Sequence, residues 1–323
     1  MLFGNVFAQD VTVLTAPLPR WNVLASKPMG DFDSLVIPIK RVDKLILIEA
    51  EIDSVKGDFI FDTGAPGLVL NASYYRQNAV ARVRESVGIA GTSALVFERK
   101  VKHLQISDMY FENMIVELTE LGHIENKKGV KILGLLGTAL FEELDWMIDL
   151  RAGQIVFSRR KESTKVENRK MKNEKRDVEV YRKLEKRTEE TGIRVPISYI
   201  NNTIFLNTKM KGKTLSLCFD TGAEMMVVDN YLPRVVMDQV QITKRLNLVG
   251  TNGQKLEVYA GEMKAFEMHG IFWEQIPVIV SGLQDLGAVY NFPLDGIIGY
   301  DLLEKAKMKV NLSKREMYLY IYE

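Results

Sequence analysis

The residues with the clearest capacity for chemistry lie in a four-residue motif that the chain contains twice. Asp62 begins the sequence Asp-Thr-Gly-Ala after the apolar run 59–61, and Asp220 begins the same sequence after the apolar run 217–219. A carboxylate at the end of an apolar run is costly to bury unless hydrogen bonds or a reaction partner satisfy it. One such tripeptide carries a real risk of chance occurrence. Two copies, each followed by aliphatic residues, indicate a paired site.

The chemistry that two such aspartates support follows from their mutual repulsion. If Asp62 and Asp220 share one site, both cannot ionise at neutral pH, so one keeps a proton while the other stays charged. The charged carboxylate can take a proton from a water molecule that attacks a carbonyl carbon, while the protonated one donates to the carbonyl oxygen. This reaction needs no metal, cofactor or covalent intermediate. The motif pair therefore predicts hydrolysis by acid–base catalysis.

Strand patterns precede the first aspartate and would carry it into position. Apolar runs at 35–39 and 44–52 predict strands, and a turn leads from them into the strand that ends at Asp62. Beyond it, Asn71 is a suitable N-cap for a short helix at 71–77. The pattern thus predicts a β-meander that delivers a carboxylate at the end of a strand.

The second half of the chain repeats the first. Pro196 follows Pro38 by 158 positions (196−38), and Asp220 follows Asp62 by the same 158 positions (220−62). The predicted strands before Asp62 and before Asp220 therefore have the same spacing relative to their aspartates. A repeat that is one whole domain long indicates an internal duplication and not a solenoid. We expect two lobes that face each other across a pseudo-twofold axis.

These motifs resemble those of a known enzyme family. The paired Asp-Thr-Gly-Ala stretches, with Leu-Leu-Gly at 135–137 and Ile-Ile-Gly at 297–299, look like the pepsin and retropepsin superfamily of aspartic peptidases. The two halves are similar to bacterial retropepsin-like aspartyl proteases fused in tandem. The resemblance implies an aspartic-type endopeptidase with an all-β fold. It implies two similar acid-protease β-barrel lobes, with short helices after each active-site loop and near each Gly-x-x-Gly stretch.

The resemblance also assigns roles to individual positions. Asp62 and Asp220 are expected to be catalytic, in a site that one monomeric chain forms alone and that acts on a peptide or protein substrate. The threonines would join the two loops through hydrogen bonds, and the glycines would let backbone approach the aspartates. Support of the active-site loops is accordingly expected from Thr63, Gly64, Ala65, Thr221, Gly222 and Ala223.

Two further sets of residues are candidates for contact with the substrate. The residue after Asp-Thr-Gly-Ala is Pro66 in the first lobe and Glu224 in the second. In retroviral members an acidic residue here binds the substrate backbone, so Glu224 is a candidate, with a solvated surface Glu as the other interpretation. Gly88, Ala90 and Gly91 lie in a hairpin tip of small residues, which forms either a mobile cover over the substrate or a simple surface turn.

Two alternatives to a single-chain protease stay open. A chain of this fold can bind a peptide without cutting it, although the presence of both aspartates counts against a loss of catalysis. Each lobe can also be completed by another chain through domain exchange. A zinc protease is not supported, because His103, His123 and His269 are scattered without the spacing of metal ligands.

Composition excludes several other classes of protein. The 323 residues carry a net charge of only +1, so the protein as a whole has no positive electrostatic field that would attract nucleic acid. No apolar run is long enough to span a membrane. Cys218 is the single cysteine, so no internal disulfide and no cysteine-based metal site is expected. Its place in an apolar strand predicts a small core residue.

Charge and proline content divide the chain into four segments. Residues 1–33 form a lead-in that begins like the remnant of a secretory signal peptide, so we expect a periplasmic or extracellular protein, with the cytoplasm as the alternative. The two aspartic-protease lobes are expected at 34–158 and 191–323. The stretch 159–190 is almost continuously charged and has little apolar surface to bury, which predicts a linker.

The linker assignment predicts where a protease cuts first. Brief treatment of the native chain with trypsin should cleave it within 159–190, because a segment with so little apolar surface gains little by packing. Mass spectrometry of the first products should show two fragments of about the sizes of the lobes. First cuts inside 34–158 or 191–323 would place the boundary elsewhere.

Overall fold

Two β-rich lobes of the same design face each other, and strands from both meet in one shared sheet. This structure is a computed structural model, and it describes residues 27–65, 67–77, 79–84, 94–160, 192–249 and 255–322. Pro66, the hairpin tip with Gly88, Ala90 and Gly91, and most of the lead-in and linker lie outside the described residues. The boundaries given above for these segments stay predictions.

The first lobe consists mainly of strands. They are β1 (Ser34–Pro38), β2 (Lys40–Val42), β3 (Leu45–Ile52), β4 (Val55–Phe61), β5 (Leu68–Asn71), β6 (Val80–Arg84), β7 (Ala94–Ile106), β8 (Met109–Thr119), β9 (Gly134–Leu136), β10 (Leu144–Asp149) and β11 (Gln154–Arg159). Its short helices are α1 (Ala72–Tyr75), α2 (Gly122–Lys128) and a 3₁₀-helix (Thr138–Phe141). Asn71 Oδ1 accepts a hydrogen bond from Ser73 N, so the predicted N-cap forms, although α1 ends at Tyr75.

The second lobe repeats this order of elements. Its strands are β12 (Ile193–Ile200), β13 (Thr203–Met210), β14 (Lys213–Phe219), β15 (Met226–Asp229), β16 (Val240–Val249), β17 (Lys255–Met268), β18 (Ile271–Ser281), β19 (Gly296–Ile298), β20 (Ala306–Asn311) and β21 (Glu316–Ile321). Its helices are α3 (Arg234–Met237), α4 (Gln284–Tyr290) and α5 (Tyr300–Leu303). Within the described ranges, no helix has both the length and the apolar character needed to cross a bilayer.

A closed barrel forms the centre of the first lobe. Among the described residues its sheet has the order β2-β3-β4-β9-β5-β8-β7-β6, and a further pairing of β3 with β7 closes a 6-strand barrel. The second lobe contributes β13-β14-β19-β15-β18-β17-β16, which continues the shared sheet through β12. The predicted all-β fold of two similar lobes is confirmed. The helices after the active-site loops and near the Gly-x-x-Gly stretches are also where the sequence predicted them.

The shared sheet joins the lobes through backbone hydrogen bonds. β10 of the first lobe pairs antiparallel with β20 of the second, which places Trp146 opposite Val310. β11 and β1 extend the sheet on one side, and β21 and β12 extend it on the other. The two lobes therefore share a framework of strands and do not rely on side-chain contacts alone.

The strand positions show where the duplicated halves have come to differ in length. β4 and β14 are 158 positions apart (213−55), whereas β9 and β19 are 162 apart (296−134). β15 keeps the offset of 158 from β5 (226−68), while α3 follows α1 by 162 (234−72). The four additional residues (162−158) therefore lie between β15 and α3, after the second active-site loop. The two aspartates keep equivalent registers.

Large apolar side chains fill the space behind β4, the strand that leads into Asp62. The ring of Phe61 lies 5.5 Å from that of Phe141 and 5.6 Å from that of Trp146, measured between centroids. All three are at most 1% exposed, and burial of such a side chain contributes about 1.5–3 kcal/mol. In the second lobe Cys218 packs with Phe205 in a separate apolar cluster, and burial raises the pKa of its thiol. Cys218 is therefore a core residue, as predicted.

The first lobe includes residues that the sequence assigned to the lead-in and the linker. Arg159 is the last residue of β11, and its Nε donates to Phe32 O at 3.1 Å. Met29 pairs with Tyr110 in an isolated bridge. Met29, Phe32 and Arg159 thus contact the first lobe, and the boundaries of the lead-in and the linker stay predictions. A pattern of charges cannot show that a guanidinium binds backbone carbonyl groups.

Candidate active site

Each aspartate of the two Asp-Thr-Gly-Ala motifs follows a strand whose partner strand passes behind the loop. β9 pairs in parallel with β4 and antiparallel with β5, so the chain between β4 and β5 passes around β9. Asp62 N donates to Leu136 O at 3.0 Å. The second lobe repeats this arrangement with β14, β19 and β15, and Asp220 N donates to Ile298 O at 2.9 Å. The backbone of both aspartates is therefore fixed by strand hydrogen bonds.

Glycines allow the chain to cross itself this closely. A β-carbon on Gly137 would lie 2.2 Å from Ala65 O, and one on Gly299 would lie 1.8 Å from Asp220 O. Both distances are far inside van der Waals contact, so no larger residue fits without moving the loops. The structure thus places both Gly-x-x-Gly stretches directly behind the active-site loops.

Reciprocal hydrogen bonds between two threonines join the loops. Thr63 Oγ1 donates to Phe219 O at 2.8 Å and accepts from Thr221 N at 2.9 Å. Thr221 Oγ1 donates to Phe61 O at 2.7 Å and accepts from Thr63 N at 3.0 Å. Both threonines are at most 1% exposed, so water does not compete for these bonds. Each lobe therefore satisfies buried backbone groups of the other.

The two aspartates meet across the same interface. Each residue is 1% exposed, and the two carboxyl groups lie close enough for one to raise the pKa of the other and for a proton to be shared between them. A β-carbon on Gly64 would lie 2.5 Å from Asp220 Cγ, and one on Gly222 would lie 2.9 Å from Asp62 Oδ1. The backbone of each lobe thus contacts the carboxyl group of the other, which only glycine permits.

The two carboxyl groups differ in the hydrogen bonds that they accept. Asp62 Oδ1 accepts from Gly64 N at 2.9 Å and from Ala65 N at 3.2 Å. Asp220 Oδ1 accepts from Gly222 N at 2.8 Å, and the N–H group of Gly64 has a smaller effect on the Asp220 carboxyl group. Hydrogen bonds donated to a carboxylate favour its charged form. Asp62 is therefore the better position for the negative charge.

Burial decides how many protons the pair holds. Burial raises the pKa of Asp62 to about 6, although hydrogen bonds from Asp220, Gly64 and Ala65 oppose this effect. Burial and the charge of Asp62 together raise the pKa of Asp220 well above its ordinary value. Between these two pKa values the pair holds one proton, with the charge on Asp62 and the proton on Asp220.

One oxygen atom of the pair depends on this proton. Among the described residues, no N–H or hydroxyl group donates to the buried Asp62 Oδ2. The protonated Asp220 is the donor in contact with Asp62. A buried acceptor without a donor costs about 1–3 kcal/mol, so the shared proton stabilises the closed arrangement of the lobes.

Glu224, the candidate for substrate contact, lies in an ion pair between the lobes. Its Oε1 is 2.9 Å from Lys128 Nζ, and the same ammonium group is 3.0 Å from Asp43 Oδ2. The side chain of Glu224 is 13% exposed and that of Lys128 is 4% exposed. The interpretation of Glu224 as a solvated surface residue is therefore wrong. Its contact with substrate backbone stays a prediction.

The other predicted positions occupy several environments. Ala65 and Ala223 are buried, and Ala223 O accepts from Tyr300 N at 3.1 Å. His103 stacks on a tyrosine ring, and His269 binds a backbone carbonyl group. Within the described ranges, no group of three or more His, Cys, Asp or Glu residues is arranged to hold a metal ion.

Sequence reasoning missed the charged residues around Glu224. Lys128 ends α2, a helix that the sequence pattern did not predict, and Lys44 Nζ lies 3.1 Å from Asp301 Oδ1 across the lobe interface. A comparison of the two halves of the sequence could have identified these residues as positions where the halves differ in charge. Lys128 and Lys44 have the neutral residues Tyr290 and Asn202 at the equivalent positions of the second half (290−128 = 162, 202−44 = 158).

Comparisons with known proteins find solved structures that are similar to this chain, but no related sequences. No protein-family model matches the chain, and no curated protein matches it. Conglutin gamma, a basic 7S globulin from lupine seeds, is 10% identical, with 89% of this chain and 95% of that chain covered and a TM-score of 0.48. The protein called EDGP is 10% identical, with 91% and 96% covered and a TM-score of 0.47.

A retropepsin-like aspartic protease from Rickettsia conorii matches part of the chain. It is 18% identical, with 42% of this chain and 94% of that chain covered and a TM-score of 0.28. The class of fold follows from the strand order and register of the chain itself. It is a two-lobe, all-β fold of the acid-protease type, in which each lobe contributes one Asp-Thr-Gly-Ala loop to a common centre.

Loss of the Thr63 hydroxyl should loosen the contact between the two loops. Thr63→Val leaves Phe219 O and Thr221 N without a partner in a dry site, and each such group costs about 1–3 kcal/mol. We expect the midpoint of thermal unfolding to fall by at least about 5 °C. Thr63→Ser keeps the hydroxyl group and should stay close to the native protein. Scanning calorimetry measures both.

Thr243→Val is the matched control for this prediction. Thr243 is exposed, and its Oγ1 donates to Ala260 O at 3.1 Å, so the same change removes a hydroxyl group that water can replace. Its midpoint of unfolding should stay near that of the native protein. If Thr63→Val unfolds no earlier than this control, the threonine contact does not hold the loops together.

Proposed function

We propose that the chain is an aspartic endopeptidase that hydrolyses peptide bonds with a water molecule activated between Asp62 and Asp220. The observation that carries this proposal is the burial of two carboxyl groups from different lobes in one site, each against the active-site glycine of the other lobe. Apolar or neutral residues would serve a purely structural role better, because buried charges destabilise a fold. Carboxyl groups with strongly raised pKa values are typical of active sites.

The distribution of charge assigns a separate task to each aspartate. Asp62, whose charged form is stabilised by the N–H groups of Gly64 and Ala65, takes a proton from the water molecule as general base. The water oxygen then bonds to the carbonyl carbon of the substrate. Asp220 donates its proton to the carbonyl oxygen, so the first step produces a neutral tetrahedral diol. The pair is left with its proton on Asp62 and its charge on Asp220.

The second step restores the pair to its starting state. Asp62 passes its proton to the nitrogen of the scissile bond, and the C–N bond breaks. Asp220 takes a proton from one hydroxyl group of the diol as the new carboxylic acid forms. The enzyme thereby regains the charge on Asp62 and the proton on Asp220, and no group outside the pair has to store a proton.

The fixed geometry of the loops contributes to this chemistry. The threonine hydrogen bonds and the N–H groups that face Asp62 are in place before a substrate binds. Groups that need no rearrangement during the reaction stabilise developing charge more than mobile water does. We further propose that one chain forms the whole catalytic unit and that its substrates are peptides or proteins, because both aspartates and both threonines come from the same chain.

Asp62→Asn and Asp220→Asn should each abolish hydrolysis. The first change removes the general base, and the second removes the proton donor, so either one breaks the proton cycle. We expect the activity to fall at least about a thousandfold. The measurement is cleavage of a diverse peptide library by the native protein and both variants at equal concentration, followed by mass spectrometry.

The same variants separate catalysis from folding. The pKa of Asp62 in the folded protein is about 6, above its ordinary value of 3.8, so the folded state binds this proton more tightly than the unfolded state. The contribution of Asp62 to stability therefore falls as the pH rises from about 4 to about 6. At neutral pH Asp62→Asn avoids this cost, and its unfolding midpoint should equal or exceed that of the native protein. Asp220→Asn replaces a protonated carboxyl group by a neutral amide that can also donate to Asp62, so it should unfold near the native midpoint.

Two outcomes would contradict the hydrolytic mechanism. The first is a folded native protein that cuts no peptide at any pH between acidic and neutral. The second is an Asn variant that cuts as well as the native protein. Either result would favour the alternative, a peptide-binding module of the same fold.

The dependence of kcat/KM on pH should follow the two pKa values of the pair. Activity should rise as the pH increases through about 6, where Asp62 loses its proton and becomes a base, and fall again where Asp220 loses its proton. Initial rates on one cleaved peptide between about pH 3 and about pH 9 measure this profile. A maximum near pH 3 with no activity at pH 6 to 7 would contradict the assigned charge states.

A further inference from the structure

Two equivalent contacts flank the aspartate pair where the lobes meet. In one, the turn before β3 and the last residue of α2 contact the second lobe. In the other, the turn before β13 contacts the first lobe, next to the last residue of α4. The turns are 158 positions apart (201−43) and the helix ends are 162 apart (290−128), which are the offsets of the duplication. We call the first contact the ionic corner and the second the neutral corner.

The ionic corner consists of Asp43, Lys44 and Lys128 from the first lobe and Glu224 and Asp301 from the second. Lys128 Nζ lies 2.9 Å from Glu224 Oε1 and 3.0 Å from Asp43 Oδ2, and Lys44 Nζ lies 3.1 Å from Asp301 Oδ1. Burial alone would lower the pKa of Lys128, but its hydrogen bonds to Glu224 and Asp43 raise the pKa above its ordinary value. Lys128 is therefore a charged and almost fully buried link between the lobes.

The neutral corner consists of Thr138 from the first lobe and Asn201, Asn202 and Tyr290 from the second. Thr138 Oγ1 donates to Asn202 O, and Asn201 Nδ2 donates to Tyr290 O at 3.0 Å. Tyr290 stands at the position of Lys128, and its ring packs on Phe205. These four described residues form no ion pair, so this corner contacts the other lobe through neutral groups.

The ionic corner surrounds the second active-site loop. Asp301 Oδ2 accepts from Met226 N at 2.8 Å, and the neighbouring Tyr300 N donates to Ala223 O at 3.1 Å. Glu224 lies between these two points of attachment. Cations of the first lobe thus bind both Glu224 and the aspartate that fixes the end of the loop. The loop that carries Asp220 is held from outside its own lobe.

We propose that Lys128 is a positioning residue for the carboxyl pair. The effect of Lys128 on catalysis rests on the proposed function, whereas its effect on the geometry of the pair does not. By binding Glu224 across the interface, Lys128 holds the second active-site loop so that Asp220 stays in contact with Asp62. Loss of one member of a buried ion pair leaves an uncompensated charge and costs far more than loss of both members. A cycle of variants can therefore reveal the role.

Lys128→Met, Glu224→Gln and the double variant form this cycle. Lys128→Met leaves the Glu224 carboxylate buried without its cation, and we expect kcat to fall at least tenfold while KM changes less than about twofold. The double variant removes both charges and should recover most of the native kcat, while loss of the predicted contact between Glu224 and the substrate backbone would appear as a higher KM. Glu224→Gln leaves Lys128 paired with Asp43, so its loss should be the smaller of the two single losses.

The pH profile distinguishes positioning from a general loss of stability. In Lys128→Met the rise of kcat/KM with pH should move below about pH 6, because separation of the carboxyl groups lets water reach Asp62 and lowers its raised pKa, whereas a general loss of stability would leave that position unchanged. The other charged groups of the corner, Asp43, Lys44 and Asp301, are present in every variant. Lys127→Met is the matched control, because Lys127 is exposed on the same helix, and it should keep the native kcat.

A second measurement does not need catalysis. Titration of the Asp62 and Asp220 side-chain carbons by NMR reports the raised pKa values that follow from their contact. If Lys128 positions the pair, Lys128→Met should bring the higher pKa down towards the ordinary range, because the carboxyl groups separate and gain water. If Lys128 acts only as a nearby charge, its loss should raise that pKa.

The kinetic measurement and the NMR titration together distinguish failure of the proposed function from failure of the role proposed for Lys128. If the native protein cuts no peptide, the proposed function fails, yet the titration still decides whether Lys128 positions the pair. If Lys128→Met does not fold, the double variant decides the question. The inference then predicts that the double variant folds and that its two aspartates titrate as in the native protein. Native kcat and native titration in Lys128→Met, or a double variant no better than Lys128→Met, would overturn the inference.

Discussion

The arrangement of this molecule depends on the buried contact between the carboxyl groups of Asp62 and Asp220. Two carboxylates cannot both be charged where each residue is 1% exposed, so the contact exists only while the pair holds a proton. It also requires the backbones to approach within the space of a methyl group, which Gly64 and Gly222 allow. The hydrogen bonds of Thr63 and Thr221 require the same close approach of the two loops, but they involve only neutral groups. A geometry that satisfies the threonines therefore also brings the carboxyl groups together.

The duplicated halves have stayed alike near the pseudo-twofold axis and differ away from it, and the reason is physical. On the axis each residue contacts the equivalent loop of the other half. Thr63 binds the loop that contains Thr221, and Thr221 binds the loop that contains Thr63. A change in one copy would leave the other without its partner. Away from the axis each residue meets a different residue of the other lobe, so the two corners can change independently. This is why Lys128 forms an ion pair with Glu224 at one corner, while the equivalent Tyr290 packs on the ring of Phe205 at the other.

Features that depend on neighbouring residues could be predicted from the sequence, and features that depend on distant pairs could not. The strand before Asp62, the cap at Asn71 and the two-lobe fold follow from local patterns and from the repeat. The helix that ends at Lys128 has only seven residues, too few for a clear helical period. The ion pair of Lys128 with Glu224 joins residues 96 positions apart (224−128), and no local pattern relates them. Comparison of the two halves would have marked Lys128 as a difference but not identified its partner.

The residue after each Asp-Thr-Gly links the stability of the fold to its chemistry. Ala65 offers Asp62 only a backbone N–H, so no side-chain hydroxyl at this position can satisfy Asp62 Oδ2, and the proton on Asp220 has to do so. Below about pH 6 both carboxyl groups are neutral, which favours the folded state but leaves no general base. Above this pH Asp62 is a base, and its buried charge opposes folding. The state that can activate water is thus the less stable of the two. The stability that this state lacks has to come from elsewhere, from the strands that both lobes share and from the aromatic rings behind Asp62.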